Sequence, residues 1–282
     1  MNEIKTSDIR AENRAEILNI IENFRLMDDT FMSKVFEDKA CAELLLRVIL
    51  NRDDLTVVRV VSQFELKNLQ GRSARLDIYA VDEHGKQYDV EVQRSDDGAA
   101  PRRARYNSSL LDANLLNPGD KFDELPESYI IFITEHDVLK GGKPLYTVNR
   151  TISELNHAIF TDGSHIIYVN GEIRDCTALG ELMQDFFCKD PREMHYKVLS
   201  DRAGYFKKDK EGVDTMCKLM EDYADKRARQ AAEAAAEKAA KERSISIATN
   251  LWNKGERDLQ QIADLTDLPL DEVKKLFEGK TA

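Results

Sequence analysis

The stretch that decides the fold runs Gly71-Arg-Ser-Ala-Arg-Leu-Asp77-Ile-Tyr-Ala-Val81 and resumes, after a short turn, as Gln87-Tyr-Asp-Val-Glu91-Val-Gln93. Polar and apolar side chains alternate in both segments, which predicts two β-strands, over 76–81 and 87–93. The intervening Asp82-Glu83-His84-Gly85 is typical of a hairpin turn. With a three-residue loop at 83–85 and Gly85 in the left-handed conformation, the numbers of two opposed residues sum to 168.

This register predicts which side chains meet across the hairpin. Asp77 lies opposite Glu91 and Gln93 follows on the same face, while Leu76 and Ile78 point to the other, core-forming face. Two carboxylates ~5 Å apart repel by about 3 kcal/mol at an effective dielectric near 20. A divalent cation such as Mg²⁺ or Mn²⁺ would relieve this repulsion, because both ions prefer oxygen ligands. The alternative is an exposed hairpin face that carries ordinary surface charge.

Arginines surround this hairpin. Between residues 72 and 105 the chain has seven Lys/Arg and seven Asp/Glu, so the segment is neutral inside a chain of net charge −11. A bound divalent cation would make it positive, as a phosphate ligand requires. The alternative for these arginines is a solvated helix surface. The basic residues are Arg72, Arg75, Lys86, Arg94, Arg102, Arg103 and Arg105.

The rest of the chain reads as a mixed α/β core followed by a helical tail. Apolar spacing predicts helices over 28–50, 101–117 and 179–187 and strands over 55–66, 129–134, 145–148 and 165–169. A sheet between helices predicts a three-layer core. Residues 212–255 are rich in Ala, Glu, Lys and Arg and predict a long exposed helix, and 258–277 predict a small helix-turn-helix pair.

Composition narrows the class of protein. The 282 residues include no apolar run of about 18 residues, so no membrane span is expected. The charged segment Met1 to Arg14 does not have the pattern of a signal peptide. The four cysteines are scattered, which favours thiols in a reducing cytosol and hence a cytoplasmic location.

Six short motifs occur in an order that is characteristic of one group of proteins. They are D-D-T-F-M-S-K-V-F at 28–36, R-L-D-I at 75–78, E-V-Q-R at 91–94, R-R-x-R-Y at 102–106, S-Y-I-I-F-I-T at 128–134 and H-I-I-Y-V-N-G at 165–171. In this order and spacing the chain resembles the PD-(D/E)XK nuclease superfamily, in its recombination-promoting nuclease and transposase branch. The resemblance spans roughly residues 28–170, and the tail is similar to the helical C-terminus of this branch.

The resemblance implies a three-layer, restriction-endonuclease-like α/β core with a mixed central sheet and an α-helical C-terminal tail. It implies Asp77, Glu91 and the main-chain carbonyl of Val92 as metal ligands, with Mg²⁺ as the cofactor and Mn²⁺ as a substitute. Gln93 stands where the superfamily has lysine, and a glutamine can only orient the attacking water by hydrogen bonds. The catalytic residues expected are therefore Asp77, Glu91 and Gln93.

An acidic residue on the first helix often assists in this superfamily. Glu43 is the candidate here and Asp29 the alternative, although Glu43 also stands four residues before Arg47 and could simply pair with it. The residues expected to contact DNA phosphates are Arg75, Arg102, Arg103 and Tyr106.

Two functions remain open at this stage. One is a Mg²⁺-dependent DNA endonuclease associated with recombination or transposition, and the other is a weakly active or inactive nuclease fold that binds DNA or protein. The partner expected is DNA, with self-association through the Ala-rich helix. The predicted parts are an N-terminal helical extension (1–27), a nuclease-like domain (28–188), a linker with the long helix (189–255) and the helix-turn-helix-like tail (256–282).

Overall fold

The computed structural model describes residues 14–68 and 71–278, which form two compact units divided after Lys218. The segment from Met1 to Arg14, where no signal peptide is expected, therefore lies outside the described residues except for Arg14 itself. Within the described ranges no helix combines the length and hydropathy that crossing a membrane requires.

The first unit is built on a six-stranded mixed sheet with helices on both faces, as the sequence predicted. Its strands are β1 (Val57–Leu66), β2 (Ala74–Asp82), β3 (Gln87–Gln93), β4 (Ser128–Thr134), β5 (Leu145–Val148) and β8 (Ser164–Asn170), and a separate short pair consists of β6 (Thr151–Ile152) and β7 (Ala158–Ile159). The strand order in the large sheet is β1-β2-β3-β4-β8-β5, in which β3, β4 and β8 run parallel and the other neighbours pair antiparallel.

The helices are α1 (14–23), α2 (Asp29–Val35), α3 (Lys39–Leu50), α4 (Pro101–Ala113), α5 (Ala178–Phe187), α6 (Lys197–Lys208), α7 (Lys210–Asn253), α8 (Leu259–Thr266) and α9 (Leu270–Phe277). In the first unit α3 packs on β1, α5 and α6, whereas α4 packs on β4. The connection β3–α4–β4 is thus a crossover between parallel strands, which places α4 on the face of the sheet that carries Glu91.

The hairpin β2–β3 has the predicted register. Ile78 pairs with Val90 and Val81 with Gln87, and Gly85 adopts a φ of 79°, so residue numbers of partners sum to 168. The buried Asp82 carboxylate holds the turn, because it accepts hydrogen bonds from the N–H groups of His84 and Lys86 at 2.9 Å each. The turn residues therefore favour this register.

The first predicted helix differs from the structure. The helical pattern over 28–50 is two helices, α2 and α3, separated at residues 36–38. Asp38 ends the continuity because its side chain accepts hydrogen bonds from the N–H groups of Ala40 and Cys41, which caps a new helix. The break leaves Asp29 and Glu43 on separate helices.

The centre of the sheet is apolar on both faces. Ile130, Ile131, Phe132 and Ile133 of β4 are fully buried, as expected for the middle strand of a covered sheet. On the α4 side, Phe132 packs with Tyr168 and with Leu111 of the helix.

The second unit has its own small core. Trp252 of α7 stacks on Phe277 of α9 with ring centroids 4.4 Å apart, and Ile262 and Val273 are buried beside them. Asp267, in the left-handed conformation, ends α8 and allows α9 to turn back.

Candidate active site

The polar face of β3 is buried under α4. Asp89, Glu91 and Gln93 alternate with core residues on this strand, and both carboxylates are 0% exposed. From α4, Arg103 reaches Glu91 and Asn107 reaches Asp89, with Nδ2–Oδ2 of the latter pair at 3.3 Å. Four helical residues advance about 6 Å and two strand residues about 6.6 Å, so the two spacings match. The sequence alternative of an exposed hairpin face is therefore wrong, because α4 covers it.

Asp77 stands where the backbone pairing of β2 and β3 ends. The last backbone pair is Ile78–Val90. Beyond it, the Val92 N–H donates a hydrogen bond to the side chain of Asp77, at 3.0 Å from Oδ2, instead of to a backbone carbonyl of β2. The N–H and C=O of a strand residue point to the same side of the strand, so the Val92 carbonyl also points towards β2.

Burial makes these carboxylates weak acids. Burial raises the pKa of Asp77 to about 6. The negative charge of Asp29 also raises this pKa, whereas the hydrogen bond from the Val92 N–H lowers it. Burial and the charge of Asp77 raise the pKa of Glu91 to about 7, and Arg103 opposes this shift. Asp89, fully buried beside both, has a pKa well above the ordinary value. In each case burial favours the neutral form of the carboxyl group, and a bound cation would favour the ionised form.

Glu91 uses only one of its two oxygens. Oε2 accepts from Arg103 Nη2 at 2.5 Å and from Gln93 Nε2 at 3.1 Å. Oε1 is buried and has no hydrogen-bond partner among the described residues, and the same holds for Oδ1 of Asp89. Buried acceptors without a donor are uncommon in folded proteins and call for a water, an ion or a functional role.

The two acidic candidates on the first helices lie in different surroundings. Glu43 forms an ion pair with Arg47 at 2.9 Å, as its spacing allowed, and accepts a hydrogen bond from the Val57 N–H at 2.9 Å. Asp29 accepts from Gln63 Nε2 at 3.0 Å and acts on the pKa of Asp77 through its charge. Of these two acidic residues, Asp29 is the one whose charge is among the causes of the raised pKa of Asp77.

The neighbouring Asp28 helps to hold α2 in this place. Its carboxylate pairs with Arg94 at 3.0 Å, and Arg94 also contacts Glu135 at 3.3 Å. Arg94 directly follows β3 and Glu135 directly follows β4, so the start of α2 is tied to the ends of both strands.

The exposed arginine candidates lie on β2 and α4, the elements that also carry Asp77 and Arg103, and we call them the arginine rim. Arg75 and Arg102 are exposed, and the charge of Arg75 lowers the pKa of Asp77. Tyr106 donates a hydrogen bond to the Arg72 carbonyl and accepts one from Asn68 Nδ2 at 3.1 Å, so its hydroxyl joins α4 to the β1–β2 loop. This contact ties the segment of Arg72 to the helix that carries Arg102 and Arg103.

The donor set suits a hard divalent cation. No group of three or more His, Cys, Asp or Glu side chains within residues 14–68 and 71–278 is arranged to hold a metal ion. The site offers a smaller set of oxygen ligands: the carboxylates of Asp77 and Glu91 and the main-chain carbonyl of Val92, which points towards β2. Oε1 of Glu91 has no hydrogen-bond donor among the described residues. Mg²⁺ typically binds a few such oxygens and completes its coordination with water. Asp77, Glu91 and Val92 therefore fit such an ion.

A family model described as PD-(D/E)XK nuclease family transposase matches residues 32–177, just over half of the 282-residue chain. The chain belongs to this family. Searches of the curated proteins and of the solved structures gave no match. The matched region includes both strands of the hairpin and all of α4, so the carboxylates and the arginines that surround them lie within the part shared with other PD-(D/E)XK nuclease family transposases. Membership indicates a nuclease-like function in transposition.

Two contacts in this PD-(D/E)XK nuclease family transposase were not predicted from the sequence: Asn107 with Asp89, and Arg103 with Glu91. Asp89 lies two residues before Glu91 on β3 and so shares its face of the strand, which the alternation of the sequence already indicated. Asn107 stands four residues after Arg103, which is the helical spacing that matches this strand. The ion pair between Arg103 and Glu91 had no signal in sequence, because it depends on how α4 crosses the sheet.

Proposed function

We propose that the chain is a Mg²⁺-dependent DNA endonuclease that acts in transposition or recombination, with Mn²⁺ as a substitute metal. One observation carries the proposal: Asp77 and Glu91 adjoin at the end of the hairpin pairing, each with a pKa raised by burial, to about 6 and about 7. Two such groups gain most from a cation that both can bind, because it removes their repulsion and replaces lost solvation.

The roles of the protein groups follow from their contacts. Asp77 and Glu91, with the Val92 carbonyl, would hold the metal ion, and Asp29 would assist from α2. When bound, Mg²⁺ supplies Lewis-acid stabilisation of the negative charge that develops on phosphate and lowers the pKa of a nearby water. Gln93 has a second N–H donor besides the one that Glu91 accepts, and its role is to orient the attacking water.

The DNA backbone would approach along the arginine rim. Exposed Arg75 and Arg102 are the phosphate contacts, and Tyr106 holds the segments that carry them together. The side chain of Arg103 is 39% exposed, so its remaining N–H groups border the same surface. Such contacts set position on the duplex and make the affinity fall with salt.

The test is nicking of supercoiled plasmid with Mg²⁺, followed on agarose gels, for the wild type and Asp77→Ala. The wild type is expected to nick only with metal, and Asp77→Ala to lose activity by at least about 100-fold, since even outer-shell changes cost 10–100-fold. Asp201→Ala, which removes an exposed carboxylate on α6, is the matched control. Metal-dependent nicking that Asp77→Ala leaves intact, or DNA binding without nicking and unaffected by EDTA, would contradict the proposal; the latter favours the binding-module alternative.

We also propose that copies of the chain associate through α7. Residues 221–243 of this helix are exposed on every face, and a helix without packing has little stability of its own. Light scattering coupled to size-exclusion chromatography is expected to give at least a dimer mass, and a monomer mass at micromolar concentration would contradict this.

A further inference from the structure

The side chains of Arg103, Glu91 and Gln93 form a closed triangle. Arg103 Nη2 lies 2.5 Å from Glu91 Oε2, Arg103 Nη1 lies 3.3 Å from Gln93 Oε1, and Gln93 Nε2 lies 3.1 Å from the same Glu91 Oε2. Two of the residues come from the end of β3 and one from the first turns of α4. Every member therefore contacts both of the others.

The triangle fixes the direction of the Gln93 amide. Its oxygen faces the guanidinium and its nitrogen faces the carboxylate, and the reverse orientation would place N–H groups against Arg103. The backbone of Gly98 lies close on the remaining side, since a Cβ at that position would fall 2.1 Å from Gln93 Oε1. A lysine at 93 would bring its ammonium against the guanidinium, and like charges at this distance repel.

We propose that Arg103 supplies, from α4, the positive charge that lysine supplies from the strand in the general PD-(D/E)XK pattern, acting as a positioning residue on Glu91 and Gln93. The proposal rests on the nuclease function for its catalytic consequence. Arg103 draws Oε2 of Glu91 to itself and leaves Oε1 for the metal ion, and it orients the amide that directs water. Gln93 is thus the residue that fits beside Arg103, and not an inactivating replacement of lysine.

A guanidinium differs from a lysine in one chemical respect. It keeps its proton throughout the working pH range, so it offers charge and geometry but no base. Arg103 therefore does not deprotonate water in this site, and its effect on turnover passes through the two residues it holds.

The test is a charge-exchange cycle between positions 103 and 93. Arg103→Gln, Gln93→Lys and the double variant are compared with the wild type by urea unfolding without divalent metal. Each single change is expected to raise the unfolding equilibrium constant at least about 10-fold, one by leaving buried Glu91 without its cation and the other by opposing two cations. The double variant, in which the ammonium introduced on β3 replaces the lost guanidinium charge, is expected to raise it less than either single change.

The same variants are compared for their rate of plasmid nicking. Arg103→Gln is expected to lower the rate about 10-fold or more, and Gln93→Lys in that background to recover most of it. Arg192→Gln, which removes an exposed arginine paired with Asp190, is the matched control and is expected to show neither effect nor coupling to position 93. Should Arg103→Gln alone fail to fold, folding of the double variant is itself the expected rescue.

Independent effects would overturn the proposal. If the changes at 103 and 93 multiply without rescue in the metal-free unfolding constants, Arg103 has only a local packing role. Failure of the nuclease function has a different signature: no nicking by the wild type, with the metal-free cycle still showing rescue, in which case the charge exchange stands as a feature of the fold.

Discussion

At the scale of single residues, the site is defined by carboxylates withdrawn from water: Asp89 and Glu91 are fully buried and Asp77 is half-buried. Asp77, Asp89 and Glu91 share one patch beneath α4, and burial is the first cause of the raised pKa of each. The arrangement costs stability in the metal-free protein at high pH and is the basis of its expected response to cations. Carboxyl groups with pKa values shifted in this way are common at functional sites.

The first prediction concerns stability against pH. The unfolded carboxyl groups titrate near 4, but the pKa is about 6 for Asp77 and about 7 for Glu91 in the fold, so between these values the native state binds more protons. Stability therefore falls as the pH rises from 4 to 7. Asp77→Asn removes part of this loss and is expected to raise the free energy of unfolding at pH 8 by roughly 1–3 kcal/mol, with little change near pH 4.5.

The measurement is urea unfolding at both pH values without divalent metal. Asp201→Asn is the control at an exposed carboxylate and is expected to change stability by less than about 0.5 kcal/mol at either pH. A destabilisation by Asp77→Asn of equal size at pH 4.5 and pH 8 would contradict the reasoning.

The second prediction separates the two acidic residues of the first helices. Asp29→Asn is expected to weaken Mn²⁺ binding about 3- to 10-fold, because it removes a negative charge that acts on Asp77. Glu43→Gln is expected to leave Mn²⁺ affinity unchanged and to lower stability, since Arg47 and the Val57 N–H lose an ionised partner. Isothermal titration calorimetry decides, and a larger loss of affinity in Glu43→Gln would reverse the assignment.

At the scale of elements, the site depends on three pieces of chain that meet at one edge of the sheet. The hairpin carries Asp77 and Glu91, α4 supplies Arg103, and α2 brings Asp29. α2 can do so because the chain stops at residues 36–38 and restarts as α3, and because Arg94 ties Asp28 to the end of β3. The capping residue Asp38 is therefore linked to the geometry of the site although it is not part of it.

The third prediction tests that cap. Asp38→Ala is expected to lower the free energy of unfolding by about 1 kcal/mol, as loss of an N-cap acceptor does. Asp38→Asn keeps a side-chain oxygen for the N–H groups of Ala40 and Cys41 and is the matched control, expected to cost less than half as much. Urea unfolding measures both, and equal losses would show that the charge, not the cap, matters.

At the scale of the whole molecule, the chain is two units with separate cores. The first contains the sheet and every candidate site residue, and the second contains the stacked pair Trp252 and Phe277. Trp252 is the single tryptophan of the chain, so its fluorescence reports on the second unit alone.

The fourth prediction uses this separation. Phe277→Ala is expected to remove protection against hydrogen exchange in residues 245–277. Truncating a buried aromatic side chain costs about 3–5 kcal/mol, and the total free energy of unfolding of so small a core is about as large. Peptides from 76–93 are expected to exchange as in the wild type. Leu265→Ala, at an exposed position of the same unit, is the control. Loss of protection in both units would show that they unfold as one.

Local sequence determined much of this protein. The hairpin register, the cap-and-turn residues at Asp82 and Gly85, and the buried strand β4 all follow from alternation and turn chemistry, which act between near neighbours. The register alone brought Asp77 and Glu91 to one face. Those parts were predictable because the forces that set them have a short range along the chain.

Only the tertiary structure decided what covers that face and which charges meet there. The crossing of α4 over the sheet buried Glu91 and gave it Arg103, and the position of α2 placed the charge of Asp29 where it acts on the pKa of Asp77. These contacts join residues far apart in sequence, and their distances depend on how helices pack on the sheet rather than on any local pattern. Burial, and with it the raised pKa values of the carboxylates, exists only once that packing is complete.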